Sequence, residues 1–124
     1  MRKPTALVIE DDRMSASIFT LALQEAQYDV IETHDGQEAE DYLSKNAPNV
    51  VILDLHLPKI SGKDILAYIR SCDHLVDTQV VLISADALMT DYLSSQADLV
   101  LVKPIGFHQL RELTARLNPL NKEI

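Results

Sequence analysis

Cysteine, glycine and aromatic residues are all scarce in this chain of 124 residues. Cys72 is the only cysteine, so an intrachain disulfide is impossible and a reducing compartment is expected. With only three glycines, the chain has no glycine-rich loop of the kind that binds phosphate groups through backbone amides. Aromatic residues make up 5% of the chain and tryptophan is absent, which argues against a flavin-binding domain.

Positive charge is also in deficit. The chain has 11 Lys and Arg residues against 19 Asp and Glu residues, and its formal net charge is −8. This balance argues against a surface that binds nucleic acid or anionic lipid, and it favours a site that binds a cation. No apolar run is long enough to cross a bilayer, and residues 1–4 show no signal-peptide pattern. We therefore expect a cytoplasmic protein that binds neither membrane nor nucleic acid.

Apolar residues make up 47% of the chain, which is enough for one packed core. We expect a single domain over residues 1–124, with an ordered core from about residue 5 to residue 118 and a frayed tail from Asn118. Five short runs are typical of β-strands, four of them buried and the second at a sheet edge; they cover residues 6–9, 28–33, 50–53, 80–83 and 99–102.

Segments with helical spacing fill the intervals between these strands. In the first of them, Met14, Ile18, Leu21, Ala22 and Glu25 have helical spacing, and the four apolar residues among them are predicted to share one face. Four helices are preceded by residues that favour an N-cap, namely Asp12, Asp35, Ser61 and Asp86, and a fifth is predicted over residues 107–117. The alternation predicts an α/β fold, a (βα)5 three-layer sandwich with helices on both faces of a doubly wound, parallel five-stranded sheet.

Polar and charged residues follow four of the predicted strands. Glu10 and Asp11 follow the first, Asp54 ends the third, Ser84 the fourth, and Lys103 follows the fifth. The carboxyl ends of parallel strands lie along one edge of a sheet, so these side chains are expected to converge. Two carboxylates about 4 Å apart repel by roughly 4 kcal/mol at an effective dielectric constant of ~20. Three acids together therefore favour a bound cation, and oxygen ligands at an open edge suit Mg²⁺.

These residue types also suit the chemistry of phosphate. An aspartate such as Asp54 can act as a nucleophile and form an aspartyl phosphate. Lys103 offers a positive charge that balances an anion, and Ser84 offers a hydroxyl that donates to a phosphoryl oxygen. Asp12, the third acid in the row, is better explained as a helix cap.

Taken together, the motifs resemble the receiver domain of two-component response regulators over essentially the whole chain. The residues that carry this resemblance are Glu10-Asp11, Asp54-Leu-His-Leu-Pro58 continuing to Gly62, Ser84-Ala85 and Lys103-Pro104. The resemblance implies the flavodoxin-like strand order 2-1-3-4-5. It also implies a signalling switch rather than an enzyme, with self-phosphotransfer and autodephosphorylation as its only reactions.

The resemblance further implies roles in phosphotransfer for particular residues. Asp54 would accept the phosphoryl group from a histidine kinase or a phosphotransfer protein. Mg²⁺ would be bound by Asp11, Asp54 and the backbone carbonyl of His56, with Glu10 acting through a water molecule. Ser84 would be the switch hydroxyl, and Lys103 would pair with the phosphate.

The resemblance also implies a cis peptide bond between Lys103 and Pro104. The reader of the phosphorylated state would be a downstream protein that the sequence does not identify.

One position departs from the family pattern, and two other functions remain as alternatives. Val100 stands three residues before Lys103, where the family usually has an aromatic residue. The first alternative is a pseudo-receiver that acts as a constitutive protein-interaction module. The second is a small Mg²⁺-dependent phosphatase that forms an aspartyl phosphate. This phosphatase class expects a second Asp two residues after the nucleophile, where the chain has His56.

Overall fold

Five strands alternate with five α-helices in residues 3–122, the part of the chain that the computed structural model describes. The strands are β1 (Thr5–Ile9), β2 (Asp29–Thr33), β3 (Val50–Asp54), β4 (Gln79–Ser84) and β5 (Leu99–Val102). The helices are α1 (Arg13–Glu25), α2 (Gly36–Leu43), α3 (Gly62–Ser71), α4 (Ala87–Leu93) and α5 (Phe107–Leu117). Short 3-10 turns follow α3, α4 and α5, at Asp73–Leu75, Ser94–Gln96 and Pro119–Lys122.

The strands form one parallel sheet in the order β2-β1-β3-β4-β5. The predicted doubly wound α/β fold is thus confirmed, together with the strand order that the resemblance implied. The register places Ile9 beside Leu53 and Asp54 beside Ile83, so β1, β3 and β4 end at nearly the same level. None of the described helices is both long and apolar enough to cross a bilayer.

Two apolar layers sandwich the sheet because successive strand residues point to opposite faces. From β1, Leu7 and Ile9 join the layer under α2, α3 and α4, whereas Ala6 and Val8 join the layer under α1 and α5. All four of these residues have no solvent exposure. The helices cover both faces, so the carboxyl edge of the sheet is left as the open end of the strands.

The four predicted N-caps are confirmed. Each cap side chain accepts a hydrogen bond from a backbone amide in the first turn of its helix, and this satisfies a donor that has no partner within the helix. The pairs are Asp12 with Ser15, Asp35 with Glu38, Ser61 with Asp64, and Asp86 with Met89.

The predicted apolar face of α1 is buried at Ala22 but wrong at its other three residues. Met14 is 75% exposed, Ile18 40% and Leu21 55%. The residues of α1 that pack on the sheet are instead Ala16, Phe19, Ala22 and Leu23. Two alanines in this stripe allow α1 to lie close to the sheet, and a hydrophobicity pattern gives such small residues less weight than the exposed Met, Ile and Leu.

The prediction of a frayed tail from Asn118 onward is wrong at Asn118 itself. Asn118 is fully buried, and its side-chain Nδ2 donates to the carbonyl oxygen of Ala26 at 2.8 Å. Its Oδ1 accepts from the amide of Leu120 at 2.8 Å. Nearby, the hydroxyl of the buried Tyr28 donates to the carbonyl oxygen of Thr114 at 2.8 Å. These bonds join the end of α5 to the turn between α1 and β2.

Candidate functional site

Three carboxylates meet at the carboxyl edge of the sheet. Glu10 directly follows β1 and Asp54 ends β3, and these two strands are neighbours. One carboxylate oxygen from each of Glu10, Asp11 and Asp54 lies within 4.8 Å of the others. Glu10 is 1% exposed and Asp54 4%, whereas Asp11 is exposed. The predicted convergence is therefore observed, with two acids inside the structure and one at the solvent boundary.

Lys103 supplies the positive charge at this cluster. Its Nζ lies 3.1 Å from Glu10 Oε1 and 3.1 Å from Asp54 Oδ2. Burial works against the charged ammonium group, but hydrogen bonds and charge attraction from Glu10 and Asp54 outweigh this effect, and the pKa of Lys103 is raised. Lys103 is therefore a fixed cation between the two buried acids.

Glu10 is the acid whose titration is most disturbed. Its pKa is raised to about 7: burial is the largest cause, the hydrogen bond and negative charge of Asp54 act in the same direction, and Lys103 acts in the opposite direction. One ammonium group faces three carboxylates, so the cluster has an excess of negative charge. Clustered oxygen donors with uncompensated charge, reached from solvent at Asp11, fit a hard divalent cation such as Mg²⁺.

The loop after β3 completes the surroundings of Asp54. Asp54 Oδ1 accepts a hydrogen bond from the amide of His56 at 3.0 Å, and the carbonyl of Leu55 accepts from the amide of Gly62 at 3.0 Å. A Cβ atom at Gly62 would lie 2.4 Å from the carbonyl oxygen of Asp54, which leaves no room for a side chain. His56 itself is exposed, so its ring is not part of the acidic cluster.

Ser84 lies at the end of β4, on the other side of β3. It is fully buried, and its Oγ accepts a hydrogen bond from the amide of Asp86 at 3.0 Å. Its carbonyl accepts from the amide of Lys103 at 2.9 Å. The bond between Lys103 and Pro104 is cis, as the resemblance implied.

Asp12 lies outside the acidic cluster. Hydrogen bonds from Ser15, first from its hydroxyl and then from its amide, keep the pKa of Asp12 below its usual value. Its interpretation as the cap of α1 is confirmed.

Sequence reasoning missed two features near the site. A groove of about 430 Å³ lies beside Lys103 and is lined by Ser15, Ile18, Phe19, Ala85, Lys103, Pro104 and Ile105. No sequence signal marked this groove, because its walls come from segments far apart in the chain. The second feature is an ion pair between the loop after β3 and the cap of α2, in which Lys59 Nζ lies 3.3 Å from Asp35 Oδ2.

A comparison with protein families identifies the family to which the chain belongs. The family described as the response regulator receiver domain matches residues 6–115. The chain belongs to the response regulator receiver domain family. Receiver domains are signalling modules of two-component systems, and the predicted resemblance is confirmed.

Two curated relatives are similar to this receiver domain. The transcriptional regulatory protein TrcR of Mycobacterium tuberculosis is 35% identical over 116 residues, which cover 92% of this chain and 44% of TrcR. The polar-differentiation response regulator DivK of Brucella anthropi is 25% identical over 87 residues, which cover 70% of this chain and 71% of DivK. The chain thus spans less than half the length of TrcR.

Solved receiver structures have the same fold. The response regulator TrrA of Thermotoga maritima, solved in complex with Mg²⁺ and BeF, is 30% identical, with a TM-score of 0.80 over 94% of this chain and 99% of TrrA. The chemotaxis response regulator CheY4 of Vibrio cholerae is 22% identical, with a TM-score of 0.84 over 93% of this chain and 98% of CheY4. At that identity CheY4 supports the fold alone.

Proposed function

We propose that this receiver domain is a phosphorylation-dependent switch in which Asp54 accepts a phosphoryl group from the phosphohistidine of a histidine kinase or a phosphotransfer protein. The observation that carries the proposal is the placement of Asp54. Its carboxylate is nearly buried, one oxygen faces Lys103 and the other accepts from the His56 amide. A carboxylate fixed in this way, in a pocket with an excess of negative charge, is suited to attack phosphorus once a cation is bound.

In the proposed transfer, an oxygen of Asp54 forms a bond to phosphorus while the bond between phosphorus and the donor's imidazole nitrogen breaks. Asp11, Asp54 and the carbonyl of His56 would bind Mg²⁺ directly, and Glu10 would do so through water. Bound there, Mg²⁺ supplies charge stabilisation for the phosphoryl oxygens. Lys103 pairs with the same oxygens and is already 3.1 Å from Asp54. Later attack by water returns the free carboxylate and inorganic phosphate.

Ser84 connects this chemistry to a change of shape. Its hydroxyl oxygen accepts from the Asp86 amide, so its own hydrogen can be donated to a phosphoryl oxygen. Ser84 is fully buried, so such a bond requires the turn after β4 to move. Asp86 lies in that turn and caps α4, and movement of the turn therefore shifts the start of α4. We propose that a downstream protein reads this shift, and that the domain acts in the cytoplasm.

The test is the intact mass of the protein after incubation with acetyl phosphate and Mg²⁺. We expect a single phosphoryl adduct in the wild type, none after addition of EDTA, and none in Asp54→Asn. Asp12→Asn is the matched control: the same substitution is made two residues after Glu10, but asparagine caps a helix as well as aspartate does. This control should retain the adduct.

Three outcomes would contradict the proposal. An adduct that persists in Asp54→Asn would mean that the acceptor is another residue. Absence of an adduct in the wild type, together with failure to bind fluoroberyllate, would favour the pseudo-receiver. Continuous turnover of a generic phosphate ester that is lost in Asp54→Asn would favour the phosphatase.

A further inference from the structure

The loop between β3 and α3, residues 55–61, is fixed at both ends. At one end the amide of Leu55 donates to the carbonyl of Ile83 at 3.1 Å. The carbonyl of Leu55 also accepts from the amide of Gly62 at 3.0 Å, which closes the loop across its base. His56 lies just inside this base, where its amide donates to Asp54. The direction of its carbonyl therefore depends on what supports the rest of the loop.

That support comes from the amino end of α2. The amide of Gly36 faces the carbonyl of Pro58 at 3.4 Å. A Cβ atom built on Gly36 would lie 2.2 Å from the carbonyl oxygen of Ile60 and 2.6 Å from its Cβ. The φ angle of Gly36 is not in the left-handed region. Glycine is required at position 36 because a side chain would collide with Ile60, and not because of an unusual backbone conformation. The loop therefore rests directly on the α2 backbone.

A second contact joins the same two segments but is weaker. Lys59 has a φ angle of 70°, in the left-handed region that non-glycine residues seldom adopt. Its Nζ lies 3.3 Å from Asp35 Oδ2, but its side chain is 64% exposed. Exposed ion pairs contribute little because water and salt screen them. The backbone contact at Gly36 is therefore the stronger of these two contacts between the loop and the amino end of α2.

We propose that Gly36 is a positioning residue for cation binding, and that it acts by supporting the β3–α3 loop so that the His56 carbonyl is directed toward the acidic cluster. This inference rests on the proposed function, in which that carbonyl binds Mg²⁺. Gly36 itself touches neither the cation nor the phosphoryl group. An added methyl group must push Ile60 away from α2, and this displacement is transmitted through residues 57–59 to His56.

The test is the dissociation constant for Mg²⁺ alone, measured by titration calorimetry in wild type, Gly36→Ala and Gly106→Ala. Groups that orient metal ligands affect metal affinity by about ten- to a hundredfold, and a more distant support should have a smaller effect. We expect the constant to rise about fivefold or more in Gly36→Ala. Gly106→Ala is the matched control, because nothing lies within 4 Å of a Cβ atom there. It should stay within about twofold of wild type.

Unfolding by urea in EDTA separates positioning from stability. If the role of Gly36 is purely structural, Gly36→Ala will have a lower free energy of unfolding in EDTA than the wild type. Its Mg²⁺ affinity will stay at the wild-type value. That result would overturn the inference even if Asp54 is phosphorylated normally. A wild-type protein that binds no Mg²⁺ would overturn both this inference and the proposed function.

A milder variant covers the case in which Gly36→Ala does not fold. Asp35→Ala removes both the cap bond to Glu38 and the ion pair to Lys59, and so loosens the same end of α2. We expect its Mg²⁺ dissociation constant to rise about threefold or more, which is outside the range of the Gly106→Ala control, with a changed NMR shift for the His56 amide. An unchanged constant and an unchanged His56 amide in this variant would contradict the inference.

Discussion

Strands β3 and β5 belong to the same sheet, but β3 is buried at all five of its residues and β5 at none of its four. Two helices of one layer, α3 after β3 and α4 before β5, differ in the same way. In α3, Ile65, Leu66 and Ile69 are fully buried, whereas Leu88 and Tyr92 of α4 are 84% and 69% exposed. The sheet therefore has a tightly packed half around β1 and β3 and a loosely packed half around β5 and α4.

The proposed chemistry is divided between these halves. The acidic cluster lies at the carboxyl ends of β1 and β3, in the tightly packed half. Ser84 lies at the boundary, and the turn after it leads into the loosely packed α4. Local opening costs least where few apolar contacts are buried. The comparison indicates that phosphorylation at the packed half should change the structure mainly in the other half.

The largest expected effect tests the packing difference directly. Leu53→Ala should lower the free energy of unfolding by about 3 kcal/mol, because Leu53 is fully buried in β3 and its truncation leaves a cavity. Leu88→Ala, the same substitution in α4, should change it by less than about 0.5 kcal/mol. Urea denaturation in EDTA measures both values. Equal losses in the two variants would contradict the division of the sheet into two halves.

The next effect concerns the charge balance of the packed half. Lys103→Ala leaves the buried Glu10 and Asp54 without their cation, and breaking such a pair should cost about 2 kcal/mol in EDTA. Mg²⁺ should restore part of this loss, because it compensates the same acids. The control is Lys59→Ala, in which an exposed ion pair is lost, and it should cost less than about 0.5 kcal/mol. A Lys103→Ala variant as stable as this control would show that the acids are not held by Lys103.

The packed half was also the easier half to predict from sequence, whereas β5 was wrongly predicted to be a buried strand and none of its four residues is buried. Runs such as Val50 to Leu53 have one interpretation, a strand buried on both faces, and the fold class then places their ends together. The N-caps were predictable because a cap depends on residues only three positions apart. The convergence of Glu10, Asp11 and Asp54 followed from the predicted strands and the parallel fold class. The roles of these residues in phosphotransfer are proposals.

Contacts between distant segments were not predictable in this way. The inner face of α1 was missed except at Ala22, because Ala16 and Phe19, rather than Met14 and Ile18, lie against the sheet. Asn118 has no local signal, since its partner Ala26 is 92 residues away. The support of the β3–α3 loop by Gly36 depends on a steric contact that no residue pattern describes.

The pH dependence of stability should show a smaller effect, again in the packed half. The pKa of Glu10 is about 7 when the protein is folded, against a usual value of 4.5 when it is unfolded. Between these values the folded state binds more protons, so the free energy of unfolding falls as pH rises from about 4.5 to about 7. In metal-free protein we expect Glu10→Gln to remove about 1 to 2 kcal/mol of this fall. Urea denaturation at pH 5 and pH 8 in EDTA measures it, and parallel curves for wild type and variant would contradict the prediction.

The smallest effect concerns how the loose half is attached. Arg70, at the end of α3, donates three hydrogen bonds. Its Nε donates to the carbonyl of Gln96 at 2.7 Å. One terminal nitrogen donates to the carbonyl of Thr78 at 3.2 Å, and the other donates to Asp98 Oδ2 at 2.9 Å. These bonds join the segment before β5 to α3 and the start of β4. The loose half is thus anchored at the amino end of β5, away from the site.

Arg70→Lys keeps the charge but cannot reproduce three bonds from one planar group. We expect a loss of about 1 kcal/mol in the free energy of unfolding, because Arg70 is partly exposed and water replaces some of the lost bonds. Amide hydrogen exchange should accelerate in Ser94–Gln96 and α4 but not in β1 or β3. Arg116→Lys, at an exposed position in α5, is the control and should change neither quantity. If exchange accelerated equally in β3, the two halves would open together, and the loose half would not be a separate unit on which phosphorylation acts.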